Sequence, residues 1–292
     1  MTTVTEFAPA KINLTLHVTG RREDGYHLLE SLVAFADVGD QITVRKGPVF
    51  SLTASGPFAA DLPAAGDNIV MAAAQSLAHG VSEVPPGAEI HIEKNLPVAS
   101  GIGGGSANAA ACLRALLKLH DVSVSDAGLN QIAVFLGADV PVCLHSQVSV
   151  MSGIGQIVEP APRLPEIYAV LVNPQVAVPT GPVFSSLGLL QGKVVAEAAP
   201  ALPKAAFHTA EDLVGYLQGC RNDLEPAAAS FVYEIGDVQT ALFSTQDCLM
   251  TRMSGSGATC FGLYAREDAA QEAAARIQSD HRAWWVVPAR LG

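Results

Sequence analysis

Residues 96–111, LPVASGIGGGSANAAA, place four glycines in five positions (Gly101, Gly103, Gly104 and Gly105) directly ahead of an alanine-rich segment. Glycine admits positive φ and lets a ligand approach the backbone closely. A helix start offers unpaired N–H groups at the positive end of its dipole. The helix is predicted by Ala109, Cys112, Leu113, Leu116, Leu117 and Leu119, which fall on one side at amphipathic spacing. Loop and helix together make an anion site of the kind that takes phosphate. A turn between buried elements is also glycine-rich, but it needs one or two glycines, not four followed by Ser106. Two other phosphate loops fail on their residues. A Walker A loop requires Lys and then Ser or Thr after its last glycine, whereas Gly105 is followed by Ser106, Ala107 and Asn108. A dinucleotide fingerprint requires glycine at its first, third and sixth positions; the sixth is Ser106 counted from Gly101 and Asn108 counted from Gly103.

With 292 residues the chain can build one large or two ordinary domains, each with its own core. Hydrophobic residues at 49% against charged residues at 15% describe a compact globular protein and exclude a disordered one. The formal net charge of -11 argues against a nucleic-acid or anionic-membrane surface, so an anionic ligand has to be held locally. No apolar run reaches bilayer-spanning length, and the N-terminus lacks the basic region and unbroken apolar core of a secretory signal. The five cysteines, Cys112, Cys143, Cys220, Cys248 and Cys260, form no CxxC pair and are odd in number, as expected of buried thiols in the reducing cytoplasm. No His, Cys or carboxylate cluster has metal-site spacing, so no structural metal is expected.

Taken in order, residues 7–18 alternate as a strand that puts Lys11 and Asn13 on one face and Ile12 and Leu14 on the other. A polar turn, TGRREDGYH, follows, and two further strands are predicted at 30–35 and 40–45 around a turn at 37–39. Residues 50–67 read as loop, with Asp67 as N-cap of a helix running to Ala78. The alternation at 88–94 predicts a strand feeding the glycines, and Ser125 and Gly137 bound a helix at 126–136. Asp139 then falls in a tight, non-helical connection before Val140 and Pro141. The proline-rich stretch 160–165 marks a domain boundary, giving domains 1–157 and 158–292. The second is expected to hold a strand at 168–172, a helix from Thr180, a low-pattern excursion at 187–209, and helices at 210–217, 224–232 and 237–243. A small-residue loop at 253–257 then precedes a strand, a helix at 268–278 and a last strand at 283–287.

Three separated segments, PAKINLTL at 9–16, PVASGIGGGSANAA at 97–110 and MSGSGATCFG at 253–262, together resemble the three motifs of the GHMP small-molecule kinases. DGYHLLES at 24–31, GADVP at 137–141, VPTGPVF at 178–184 and RNDLE at 221–225 place the resemblance in the branch acting on a cytidine-diphosphate-linked branched polyol of the non-mevalonate isoprenoid pathway. The resemblance implies an α/β (α+β) chain of two domains: an ATP-binding N-terminal domain of ribosomal-protein-S5-domain-2-like topology and a C-terminal, substrate-binding ferredoxin-like α/β sandwich. It implies ATP with Mg²⁺ as co-substrate and transfer of the γ-phosphoryl group to the polyol 2-hydroxyl. Kinases for other small alcohols, or a catalytically inactive nucleotide-binding module, would share the fold.

Phosphoryl transfer needs the phosphates held, the hydroxyl aimed in line and the charge stabilised. By resemblance, Pro97, Val98, Ala99, Ser100, Gly101, Ile102, Gly103, Gly104, Gly105, Ser106 and Ala107 bind ATP, the N–H groups from Ala99 to Ser106 wrapping its phosphates, and Asn68 and Lys94 meet the adenine. Lys11 and Asp139 match the catalytic positions, the carboxylate orienting or deprotonating the hydroxyl and the ammonium steadying charge. Helix capping by Asp139 and an ordinary helix-start role for Asn68 are the plain alternatives. Tyr26 and Phe184 fall where the family stacks the cytosine, His27 where its edge is read, and Asn13 and Thr180 where polyol or diphosphate is bound. Ser254, Gly255, Ser256 and Gly257 form the phosphate-proximal loop. The chain departs from the family at Ala107 (usually Ser), Ile102 (usually Leu), Gln156 (Glu expected) and Val142 with Cys143 (often aromatic). The Mg²⁺ ligands are not legible.

Overall fold

The computed structural model describes residues 2–195, 200–203 and 206–292. In chain order the first elements are β1 (Thr3–Asn13), β2 (His17–Arg21), β3 (His27–Lys46), β4 (Ser51–Ser55), α1 (Ile69–Gly80), β5 (Ala88–Glu93), α2 (Gly104–His120), α3 (Asp126–Leu136) and α4 (Val140–His145). There follow β6 (Ser149–Gly153), β7 (Ile157–Pro160), β8 (Ile167–Asn173), α5 (Thr180–Ser186), β9 (Lys193–Val194), α6 (Ala210–Gln218), α7 (Glu225–Phe231), α8 (Glu234–Phe243), β10 (Met250–Met253), β11 (Cys260–Tyr264), α9 (Glu267–Asp280) and β12 (Trp285–Leu291). Two compact units emerge, one of Met1–Ala10, Gly39–Val98 and Gly103–Ser146, the other of Lys11–Val38, Ala99–Ile102 and Gln147–Gly292. The excursion at 187–209 lies partly outside the described residues; its described part contains β9.

In the first unit the C-terminal half of β3 runs antiparallel to β5, from Gln41 opposite Glu93 to Lys46 opposite Ala88, and β4 lies parallel on the far side of β5. Ala88, Ile90 and Ile92 of β5 are buried while alternate residues face outward, the period-2 pattern read from the sequence. Helix α2 packs on α1 and α4, and α3 packs on α1 and α4. Ala107, Ala109, Ala110 and Ala111 are all buried in α2, where a small side chain allows neighbouring helices to approach. Helix α3 has the predicted bounds, with the Ser125 hydroxyl accepting from the Gly128 N–H and Gly137 following the last turn.

The structure differs from the sequence pattern at several points. The two strands predicted around 37–39 are one continuous β3, because Gly39 is not a turn residue: a Cβ there would overlap the backbone of Ala8, which passes alongside. Residues 51–55, read as loop, form β4, whose pairing with β5 decides what five weakly patterned residues could not. The N-cap of α1 is Asn68, whose Oδ1 accepts from the Val70 N–H, and not Asp67. Asp139 has near-helical dihedrals (φ -89°, ψ -11°) and heads α4, with Pro141 tolerated in the first turn.

The second unit is organised around β8, the central strand of an antiparallel sheet in the order β10-β11-β8-β12. With α8 and α9 packed against these strands, this is the ferredoxin-like arrangement. Its core includes Val170, Val172, Val183, Ile235, Val238, Leu242, Cys260 and Ile277. The N-terminal half of β3 pairs with β2 and β6, and β6 with β7. The predicted strand 7–18 breaks after Asn13 because Leu16 is drawn off to pair with the 221–223 segment: its N–H donates to Arg221 O and its carbonyl accepts from Asp223 N–H. All five cysteines are thiols, and burial pushes that of Cys112 up to about 12.

Glu6, on β1, ties that strand to α2 of the same unit through Arg114 and Lys118, and Arg114 also donates to the carbonyls of Phe7, Cys143 and Leu144. Burial acts to raise the Glu6 carboxyl, but hydrogen bonds and charge from Lys118 and Arg114 outweigh it and hold the group below its ordinary 4.5. A carboxyl depressed by folding contributes stability that is present above its unfolded pKa and lost as pH falls through the folded one. Glu6→Gln is therefore expected to lower the thermal midpoint at pH 7 by roughly 2–4 °C, for about 1 kcal/mol of a partly exposed network. The gap to wild type should close in calorimetric scans taken progressively below pH 4.5.

Candidate active site

In the first unit, the chain leaves β5 and enters α2 through Gly103, a left-handed N-cap at φ 65°. The first helical bond runs from the Ala107 N–H to Gly103 O, so the N–H groups of Gly104, Gly105 and Ser106 have no partner within the helix. The first turn carries no acidic residue, and Gly105 is exposed. This is the chemistry an anion requires. Ala107, where the family usually has Ser, is sealed in the helix packing with its side chain turned from solvent. Asn68 and Ile69 lie at the same end: a Cβ on Gly105 would stand 3.7 Å from Ile69 Cγ2. Lys94 is buried and ion-paired with Asp40 at 2.6 Å. Burial draws the ammonium below 10.5, and Asp40 opposes that through charge and a hydrogen bond. Asp139 makes no side-chain capping bond to α4, so the plain capping explanation for its position is removed.

In the second unit, Lys11 and Asn13 end β1 and are both buried, not turned to solvent as strand polar residues usually are. The Lys11 N–H donates to Ile102 O at 2.9 Å. The Asn13 N–H donates to Ser254 Oγ at 3.0 Å, and its Nδ2 donates to Ser31 Oγ at 2.7 Å. Asn13 Oδ1 has no partner among the described residues, although Asn13 is only 2% exposed. A buried acceptor left open is rare, since buried polar groups are nearly always hydrogen-bonded. The Ser254 hydroxyl, having accepted from Asn13, donates to Gly101 O at 3.0 Å, and the Thr259 N–H donates to Ser100 O. Gly101 (φ 79°) and Gly255 (φ 57°) meet backbone to backbone, a Cβ on either falling about 2.5 Å from the other loop's carbonyl oxygen.

The 253–257 loop is splinted by residues to which the sequence reading gave no role. Asn222 Nδ2 donates to both Met253 O and Gly255 O at 2.8 Å, Glu225 accepts from the Met253 N–H at 2.6 Å, and Arg252 donates to the carbonyls of Leu14, Leu217 and Cys220. RNDLE was visible as a family signature, but nothing in its spacing says that its Asn and Glu face another loop's backbone. Thr180 Oγ1 reaches Ser256 Oγ at 3.1 Å.

The β2–β3 hairpin and α5 bring His27 and Phe184 together in the second unit. The His27 and Phe184 rings lie 5.0 Å apart, tilted by 32°, and the adjacent Tyr26 is 61% exposed. So large an exposed ring is no core residue. Burial and then the charge of Arg21 lower His27 below 6.5, so its imidazole is neutral at pH 7 and offers one donor and one acceptor. Gln156, where Glu was expected, accepts from the Ile154 N–H at 2.7 Å, a bond an amide makes as readily as a carboxylate.

Comparison with known proteins fixes the class. Residues 68–147 match the GHMP kinases N terminal domain, and residues 198–283 match the GHMP kinases C terminal domain. The chain belongs to the GHMP kinase family, has its two-domain mixed α/β fold, and is a small-molecule kinase that draws its phosphoryl group from ATP. It is 50% identical over 286 residues, 98% of each chain, to the 4-diphosphocytidyl-2-C-methyl-D-erythritol kinase of Cereibacter sphaeroides. It is 48% identical over 292 residues, 100% of this chain and 99% of the other, to that of Paramagnetospirillum magneticum. A crystal structure of 4-(cytidine 5'-diphospho)-2C-methyl-D-erythritol kinase superposes with a TM-score of 0.74 at 30% identity, covering 99% of each chain. The homoserine kinase of Cytophaga hutchinsonii shares the fold, with a TM-score of 0.66 at 20% identity over 98% of this chain and 94% of its own.

Gly101→Ala tests the close loop approach, since its methyl would have to displace Ser254 O or the Gly257 backbone. The variant is expected to lose activity by at least tenfold while remaining folded by circular dichroism; near-normal turnover would show that the two loops can part without harm.

Proposed function

We propose that the chain transfers the γ-phosphoryl group of ATP to the 2-hydroxyl of 4-diphosphocytidyl-2-C-methyl-D-erythritol, yielding the 2-phosphate and ADP in the non-mevalonate isoprenoid pathway. The full-length relatives at about 50% identity carry this name, and one observation supports it from within the chain. His27 and Phe184 are paired beside the exposed Tyr26, a platform suited to a nucleobase and unneeded by a kinase of mevalonate or homoserine. In this reading Tyr26 and Phe184 stack the cytosine, neutral His27 reads its edge, and Thr180 and Asn13 bind diphosphate and polyol, the open Asn13 Oδ1 accepting from a hydroxyl.

The N–H groups of Gly104, Gly105 and Ser106 take the ATP phosphates, supported by the rest of the 97–107 stretch, with Asn68 at the adenine. Asp139 orients or deprotonates the acceptor hydroxyl, and Lys11 stabilises charge on the transferred group. The Ser254–Gly257 loop serves chiefly by holding the Ala99–Ile102 turn, since the Ser254 hydroxyl is already committed. Mg²⁺ would be held largely by the ATP phosphates with Ser106 as a protein ligand, in keeping with donors too sparse to make a cage: no three His, Cys, Asp or Glu side chains converge among the described residues. The ion's chemistry would be to neutralise phosphate charge. In sequence the proposed division is an ATP-binding domain at 1–157 and a substrate domain at 158–292, with Asn13, Tyr26 and His27 of the substrate set contributed from the first stretch and folded in the second compact unit, in a cytoplasmic enzyme.

Coupled-assay ADP release should require this alcohol, and release with homoserine or mevalonate instead would overturn the assignment. Tyr26→Ala and Phe184→Ala should each raise KM for the cytidine substrate roughly 5- to 100-fold, as expected for losing one stacked base, leaving KM for ATP unchanged. Asp139→Ala should lower kcat by roughly 100-fold or more. Because His27 is held neutral by burial and Arg21, CMP binding measured calorimetrically should be flat above pH 7 and weaken as the ring protonates below pH 6.5.

A further inference from the structure

Lys94 and Asp40 are 2% and 0% exposed, and one Asp40 oxygen takes the Lys94 ammonium at 2.6 Å. The other oxygen accepts from the backbone N–H groups of Asn95 at 2.6 Å and Leu96 at 2.8 Å. A sealed ion pair seldom adds stability over an apolar one, because desolvation offsets the attraction. Its place in the chain supplies another account. Lys94 follows the last residue of β5, and Asn95 and Leu96 open the run toward the glycines. The Lys94 main chain is pinned on both sides, its N–H donating to Ser55 O at 2.8 Å and its carbonyl accepting from the Phe58 N–H at 3.2 Å. A Cβ on Gly104 would stand 3.3 Å from Lys94 Nζ and 3.7 Å from Leu96 Cδ1. The ammonium and Leu96 are thus packed under the first residue of α2, in space that glycine leaves.

We propose that Asp40 is a positioning residue for nucleotide binding: it locks Lys94, Asn95 and Leu96 into one support beneath Gly104, holding the first-turn N–H groups of α2 toward the phosphates before ATP arrives. Lys94 then acts through the turn and not by touching the adenine, which revises the role its sequence position suggested. The inference rests on the reading of the α2 start as the phosphate cradle. Donors fixed in advance need no reordering on binding, and affinity rises accordingly.

The test compares wild type, D40A, K94Q and the double substitution D40N/K94Q, using calorimetric binding of a non-hydrolysable ATP analogue and steady-state kinetics. D40N/K94Q keeps an acceptor for Asn95 and Leu96 and replaces the ion pair by an amide–amide hydrogen bond. D40A and K94Q should weaken analogue binding and raise KM for ATP by roughly tenfold or more, each leaving a buried charge without its counter-charge. KM for the alcohol should stay within about twofold, a split that a general loss of folded protein would not produce, and D40N/K94Q should recover affinity to within about threefold of wild type. Wild-type affinity in D40A would overturn the proposal, as would a double variant as weak as K94Q, since that would mean the Lys94 charge itself meets the nucleotide. If D40A does not fold, the comparison of K94Q with D40N/K94Q decides. Wild-type protein that fails to bind the analogue would overturn the phosphate reading itself, a result seen without any variant.

Discussion

The Ser254 hydroxyl accepts from the Asn13 N–H, donates to the Gly101 carbonyl and has no exposed surface. A hydroxyl has one proton to give, and here it is spent on the loop opposite. The strand end carrying Lys11 and Asn13 and the turn carrying Gly101 are therefore bridged by one buried oxygen, beside the direct bond from the Lys11 N–H to Ile102 O. Its own position is set in turn by Asn222 and Glu225, which grip the main chain on either side of it. A loop that looks in sequence like a flexible run of Ser and Gly is thereby a rigid part.

The same device recurs in the other unit, where Asp40 grips Asn95 and Leu96 as Asn222 and Glu225 grip 253–255. In each case a buried side chain takes over backbone groups that a loop leaves without helix or strand partners. Leaving such groups unpaired costs about 1–3 kcal/mol each, so fixing a loop this way stabilises one conformation against its alternatives. With only 15% charged residues, the chain places several of its ionisable and amide groups inside, at the loops, where they shape backbone.

Where a local rule was sufficient, the sequence was legible. Ser125 and Gly137 bound α3 by capping chemistry, and the apolar side of α2 and the alternation of β5 follow from period alone. Where a distant segment decides, it was not. Gly39 reads as a turn until Ala8 is seen beside it, and residues 51–55 become a strand only because β5 offers an edge. The site divides in the same way. Glycines ahead of a helix mark open N–H groups with no tertiary knowledge, whereas the contact of the His27 and Phe184 rings joins motifs far apart in the chain. Asp40, Asn222, Glu225 and Arg252 carry no such mark: an isolated Asp or Asn looks alike whether it faces water or a carbonyl across the fold.

The approach of Gly101 to Gly255 is made of main chain on both sides. Most contacting pairs in a protein can drift together, a larger residue at one position answered by a smaller one at the other. That exchange is closed here, because neither position has a side chain to trade and each is already at the smallest residue there is. Two glycines remote in sequence are thus bound to stay fixed without ever varying in concert. Their contact, which leaves no room for a Cβ on either side, is one that statistics of paired substitution would pass over.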